Sequence, residues 1–161
     1  MEKNVKLYLK EGKIIGLDRI FGFGKKVEGG YLYDPYEALY VIEKGRGVLI
    51  KDNKEIKDFS EAIKILNIDL YTYFVFRDLR DRGYYIKVKK ERFIDVWVKG
   101  SNPLYADPDW LCYVTYEETT MTWQDFLNLL EQAKKEGKRL LLAVVDSEND
   151  VTYYEIYEIR P

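Results

Sequence analysis

Residues 140–145 are apolar without interruption (Leu-Leu-Leu-Ala-Val-Val), and this run is the first limit on how the chain can fold. Six residues is the length of a β-strand and is short for a helix. Successive side chains of a strand point to opposite faces of its sheet, so both faces of this strand are expected to be covered. The run therefore predicts a central strand in a sheet with helices on its faces.

Signals for the remaining layers lie between residues 69 and 159. A helix is predicted from about Leu70 to Arg82, because Gly83 stands in the usual position after a helix end. A second helix is predicted to begin after Thr122, a capping residue, and to end before Gly137. Further strands are predicted at 84–88, 92–98, 110–116 and 151–159.

The first half of the chain carries a separate set of signals. Residues 34–37 (Asp-Pro-Tyr-Glu) combine an N-cap, a proline at the first helical position and a capping-box glutamate, and this helix should stop at Gly45. The pattern restarts at Asp69. We therefore predict an α+β protein with a small N-terminal α/β domain at residues 1–67. A C-terminal domain at residues 68–161 would hold a mixed sheet flanked by helices.

The sequence contains no histidine, which removes the commonest general acid–base group and the commonest metal ligand. Catalysis would have to rest on carboxylates, tyrosines or lysines. The single cysteine, Cys112, excludes an internal disulfide and a cysteine-based zinc site. It lies in an apolar run, so a buried thiol is expected. No metal and no cofactor are expected.

Composition indicates an ordered protein, with 47% hydrophobic and 34% charged residues. The net charge of -2 gives no overall attraction to nucleic acid or membranes, so RNA binding would need a local basic patch. No apolar run is long enough to cross a membrane and the first residues form no signal peptide, so a cytoplasmic location is expected. Abundant lysine, glutamate and isoleucine indicate a thermophilic source.

A basic segment before Trp97 is the candidate RNA contact, because cations there could meet phosphates. Tyr84 and Tyr85 lie close by in sequence and could stack on bases. Surface lysines on an exposed turn explain the same residues, and both interpretations stay open at this point. The candidate contacts are Lys87, Lys89, Lys90 and Arg92.

Four segments together resemble the tRNA-splicing endonuclease family, and they occur in the family's order. They are residues 37–45 (EALYVIEKG), 73–87 (YFVFRDLRDRGYYIK), 138–146 (KRLLLAVVD) and 150–154 (DVTYY). The resemblance implies the fold of that nuclease and an archaeal-type enzyme that removes introns from pre-tRNA at bulge-helix-bulge motifs. Family enzymes use a tyrosine, a histidine and a lysine without metal. They leave a 2′,3′-cyclic phosphate and a 5′-hydroxyl.

The resemblance assigns Trp97 to the position of the catalytic tyrosine, Asp107 to that of the histidine and Lys138 to that of the lysine. Two of the three catalytic positions are thus changed. The chain is expected to be a non-catalytic, structural subunit of a heteromeric enzyme, inactive alone. Two alternatives remain: an active nuclease that uses non-histidine residues, and a free-standing RNA-binding module.

The resemblance also implies partners: pre-tRNA, and a catalytic subunit that forms a heterodimer and then a heterotetramer with this chain, with no role for a membrane. Family subunits pair through their last strands, here 151–159, and insert an acidic loop into a partner. Arg160 is a further candidate RNA contact. The expected interface residues are Glu117, Glu118, Tyr153, Tyr154, Ile156, Tyr157 and Ile159.

Overall fold

The computed structural model describes residues 4–20 and 22–156. The chain divides into two compact units, Met1–Ile68 and Asp69–Pro161. Among the helices of the described residues, none has both the length and the apolar character that a membrane crossing requires.

The N-terminal unit is built from a six-stranded sheet and two helices. In chain order these are β1 (Val5–Lys10), β2 (Lys13–Gly16), β3 (Lys25–Val27), β4 (Gly30–Tyr33), α1 (Pro35–Glu43), β5 (Gly47–Lys51), β6 (Lys54–Ile56) and α2 (Phe59–Leu66). The spatial order of the strands is β3-β4-β2-β1-β5-β6. β1 and β5 pair in parallel, and the other pairs described in this sheet are antiparallel.

Helix α1 begins where the capping pattern predicts it. The Asp34 carboxylate accepts a hydrogen bond from the amide of Tyr36 at 2.7 Å, and the Glu37 carboxylate accepts one from the amide of Asp34 at 3.0 Å. These bonds satisfy donors that a helix N-terminus leaves open. The helix then buries Ala38 and Leu39 in the core of this unit.

The C-terminal unit holds a five-stranded mixed sheet. Its elements are α3 (Leu70–Asp81), β7 (Ile86–Lys90), β8 (Phe93–Val96), β9 (Trp110–Tyr116), α4 (Trp123–Lys135), β10 (Arg139–Val145) and β11 (Val151–Ile156). The spatial order is β11-β10-β9-β8-β7, with β9 and β10 parallel and the other pairs antiparallel. The predicted α+β class is confirmed.

Helices α3 and α4 lie on opposite faces of this sheet. Leu140 packs with Leu129 of α4, whereas the Tyr153 hydroxyl reaches α3 by donating to Asp78 at 2.7 Å. The apolar run is less completely covered than expected, because Leu141, Leu142 and Val144 are only half-buried. Leu142 and Val144 share the α4 face with Leu140 but do not belong to the cluster that α4 covers.

Some strand boundaries differ from the predictions. β8 starts at Phe93 and not at Arg92, since Arg92 has a φ of 74° and forms the hairpin turn. β8 also ends at Val96, two residues before the predicted end. The final strand is described up to Ile156, and the rest of the predicted span lies outside the described residues.

Candidate functional site

Three chain segments meet at one edge of the C-terminal sheet. The last residue of β8 pairs with the first residue of β9, which in turn pairs with the first residue of β10. Trp97 directly follows β8, Asp107 lies shortly before β9, and Lys138 directly precedes β10. The topology therefore brings the three positions of the sequence prediction to one edge, called the site edge below.

Trp97 anchors the loop that follows it. Its indole Nε1 donates to the carbonyl of Ala106 at 2.7 Å, and its ring meets Tyr85 edge to face at a centroid distance of 5.0 Å. The side chain is buried, with 7% of the residue exposed. An indole N–H cannot act as a general acid or base near neutral pH. Trp97 therefore contributes a hydrogen bond that holds the loop and no ionisable group.

Lys138 is held between two carboxylates. Its Nζ donates to Oδ1 of Asp95 at 2.7 Å and to Oε1 of Glu136 at 2.9 Å. The Lys138 and Asp95 side chains are only 11% and 12% exposed. Burial by itself would lower the pKa of the Lys138 ammonium, but the two hydrogen bonds outweigh it and the pKa is raised. Lys138 therefore stays charged, and its charge is balanced within the protein.

Glu136 joins this pair to a second lysine. It accepts hydrogen bonds from Lys89 and from Lys138, and these bonds lower the pKa of its carboxyl to about 2 against the opposing effect of desolvation. Asp95, Glu136, Lys89 and Lys138 form a network with two positive and two negative charges, called the lysine network below. Asp107 is an exposed carboxylate that adds negative charge to the site edge.

The predicted RNA contacts occupy different environments. Lys87 and Lys90 are exposed on β7, with the Lys90 ammonium 4.7 Å from the centroid of the Phe93 ring. Lys89 belongs to the lysine network. Arg92 is only partly exposed and pairs with Asp69. Three of these four cations are thus exposed, of which Lys89 is paired with Glu136, while Arg160 lies outside the described residues.

Comparison with known proteins assigns the family. A model of the tRNA intron endonuclease catalytic C-terminal domain matches residues 70–153. The tRNA-splicing endonuclease of Methanothermobacter thermautotrophicus is 35% identical over 143 residues, which cover 86% of this chain and 84% of that protein. The chain belongs to the tRNA intron endonuclease family. Two further relatives with the same name come from Thermococcus kodakarensis (31% identity; 86% of this chain and 83% of that protein) and Pyrococcus abyssi (27%; 99% of both).

The expected subunit interface of this tRNA intron endonuclease family member is partly described. Glu117 and Glu118 are exposed directly after β9. Tyr154 is exposed on β11. Ile156 packs against the hydrophobic cluster that contains Leu129 and Leu140, and Tyr153 is hydrogen-bonded to α3. Burial, followed by the bond to Asp78, raises the pKa of the Tyr153 hydroxyl. Tyr157 and Ile159 lie outside the described residues.

Sequence reasoning missed a second charged cluster at the site edge. Arg139 pairs with Asp109 and, through Nη1, with Oε1 of Glu155 at 2.8 Å. Its guanidinium lies 4.7 Å from the centroid of the Trp110 ring, and the Trp110 indole donates to Glu155 at 3.0 Å. The hydrogen bond between Trp110 and Glu155 joins residues 45 positions apart, so no local pattern marks this cluster.

Asp95, the partner of Lys138, left a weak signal in the sequence, because it is an acid inside the otherwise apolar run Phe93–Val98.

Among the described residues, no group of three or more histidine, cysteine, aspartate or glutamate side chains is placed to hold a metal ion.

Proposed function

We propose that this chain is a structural, non-catalytic subunit of a heteromeric tRNA-splicing endonuclease. In this role it scaffolds a catalytic subunit that carries the complete triad, and it helps to position pre-tRNA for removal of introns at bulge-helix-bulge motifs. The assembly is a heterodimer that pairs into a heterotetramer. This chain has the family fold and supplies no catalytic group.

The state of the lysine network is the observation that carries the proposal. Cleavage by 2′-hydroxyl attack needs a base, an acid for the leaving oxygen and a cation at the phosphate. The sequence offers no histidine, and Trp97 has no ionisable hydroxyl. Lys138 is the one triad position that keeps the family's residue type. Its ammonium group forms ion pairs with Asp95 and Glu136. A phosphate there would meet a cation whose charge is already balanced by two carboxylates.

Features of the surface support a role in assembly. Tyr154 exposes its ring on β11, at the edge of the sheet, where a partner strand could pair and cover it. The exposed acids Glu117 and Glu118 follow β9 and are suited to a basic pocket of a partner. Lys87 and Lys90 provide exposed cations for the RNA backbone.

The test is reconstitution. The purified chain should not cut a bulge-helix-bulge RNA at any pH at which it stays folded. Together with the histidine-bearing family subunit of the same organism, it should form a larger particle by light scattering. That mixture should cut both splice sites. The matched control is the same mixture with the partner's catalytic histidine replaced by alanine, which should assemble without cutting.

Two results would contradict the proposal. Cleavage by the purified chain alone, retained after further purification, would show an active nuclease that uses other residues. RNA binding by this chain without any association with the partner would indicate a free-standing RNA-binding module.

A further inference from the structure

We propose that the loop between β8 and β9, residues 98–109, is a docking element for a protein partner, with Leu104 and Tyr105 as the groups that are recognised. The complementary surface is an apolar pocket with a basic rim. This inference rests on the proposed function, because the partner is taken to be the catalytic subunit of the same complex.

The loop is fixed in shape by its own hydrogen bonds. The Asn102 side chain accepts from the amide of Leu104 at 3.0 Å, and the Asn102 carbonyl accepts from the amides of Tyr105 at 3.0 Å and Ala106 at 2.9 Å. The Trp97 indole holds the Ala106 carbonyl at 2.7 Å. A turn restrained in this way loses little conformational freedom on binding, which favours affinity.

The fixed turn displays two neighbouring apolar side chains. Tyr105 is 88% exposed and Leu104 is 83% exposed. Trp123 on α4 is another well exposed aromatic residue, at 74%, but it stacks on its own neighbour Phe126 at a centroid distance of 5.8 Å. Tyrosine is enriched among the residues that dominate protein interfaces, since its ring buries a large area with few rotatable bonds.

The charge nearest in sequence to this pair is negative, which favours a protein partner over RNA. Asp107 is exposed two residues after Tyr105 and would repel a phosphate backbone. Leu104 has no aromatic face on which a base could stack. An apolar pair beside a carboxylate instead matches a pocket lined by apolar side chains, with a lysine or arginine at its edge.

Trp97 has a positioning role in this arrangement. It occupies the position of the family tyrosine, yet its hydrogen bond fixes the base of the docking turn. Replacement by phenylalanine keeps an aromatic ring and removes the donor. Trp97→Phe should therefore weaken docking although Leu104 and Tyr105 are unchanged.

The experiment measures binding of full-length variants to the immobilised histidine-bearing family subunit of the same organism. The double variant Leu104→Ser/Tyr105→Ser should bind at least about tenfold more weakly than the wild type. Trp123→Ser, the matched control with an exposed aromatic elsewhere in the same unit, should change the Kd by less than about twofold. Asp107→Lys should slow association and reduce its dependence on salt. Circular dichroism verifies that each variant is folded.

The outcomes separate this inference from the proposed function. A wild-type chain that does not bind the subunit overturns both. If the wild-type chain binds and the double variant binds with the same affinity, the docking loop alone is overturned. The same holds if Trp123→Ser loses as much affinity as the double variant. A double variant that assembles normally but gives a complex with weaker RNA binding would show that the loop contacts RNA.

Discussion

The two ends of the C-terminal sheet hold partly buried cations in different ways. At the site edge, the Lys138 ammonium is shared between two carboxylates, one of which also binds Lys89. At the opposite end, Arg92 Nε lies 2.8 Å from Oδ2 of Asp69 without the alignment of a hydrogen bond, and Nη2 donates to Oδ1 at 3.4 Å. Its guanidinium also lies 4.9 Å from the ring centroid of Tyr71 and 5.5 Å from that of Tyr116.

In both places a cation is paired with an acid of the same chain. A lysine at a catalytic position and an arginine in a basic hairpin both suggest phosphate binding by residue type. Each charge is, however, paired with an acid from a distant part of the chain, so a phosphate would have to compete with that acid. The chemistry differs as well: the ammonium is surrounded by carboxylates, whereas the planar guanidinium is held by one carboxylate and two aromatic faces.

The largest effect is expected at the site edge. Asp95→Ala would leave the Lys138 charge buried without its closer partner, and should lower the free energy of unfolding by about 3 kcal/mol. Urea unfolding followed by tryptophan fluorescence measures this change, because all three tryptophans lie in the C-terminal unit. Asp107→Ala is the matched control, an exposed acid of the same edge, and should stay within about 0.5 kcal/mol of the wild type. Equal stability of the two variants would contradict a buried ion pair.

A smaller effect is expected at the opposite end. Arg92→Lys keeps the charge but loses the planar group that contacts Tyr71, Tyr116 and Asp69, and should cost about 1–2 kcal/mol in the same unfolding assay. Lys90→Ala, a neighbouring exposed cation, is the control and should have little effect on stability. RNA binding measured against salt provides the second readout. An unchanged stability combined with weaker RNA binding in Arg92→Lys would make Arg92 a direct RNA contact.

A third effect concerns Glu136 and pH. Its pKa is lowered to about 2 in the folded protein and is about 4.3 in an unfolded chain. Its contribution to stability is therefore complete above pH of about 4.3 and is lost as the pH falls toward about 2. Glu136→Gln should be less stable at neutral pH and should show a shallower loss of stability over this acidic range. If the curves of stability against pH for the wild type and the variant stay parallel over this acidic range, the proposed titration of Glu136 is excluded.

Elements with local signals were predicted well. The N-caps of α1 and α4 use Asp34 and Thr122 as expected, because a capping box involves residues only three positions apart. The short strands β3, β4 and β6 were not predicted, since three or four residues carry little periodicity and gain their order from neighbouring strands.

The site was predictable in outline and not in its contacts. The family resemblance pointed to Trp97, Asp107 and Lys138, and the sheet does bring their segments to one edge. The bond between Lys138 and Asp95 joins residues 43 positions apart, and the pair of Arg92 and Asp69 joins residues 23 apart. Long-range partners of this kind depend on strand order and register, which the pattern of residue types does not encode locally.

Cys112 lies at the middle of β9, opposite Ile94 and Leu141, and is fully buried. Burial raises the pKa of its thiol, so the folded chain keeps this group protonated and inaccessible to reagents. It is the single thiol in the sequence. The rate at which Cys112 is alkylated therefore measures how often the C-terminal sheet opens and exposes the thiol. Fluctuations confined to the N-terminal unit should not change this rate.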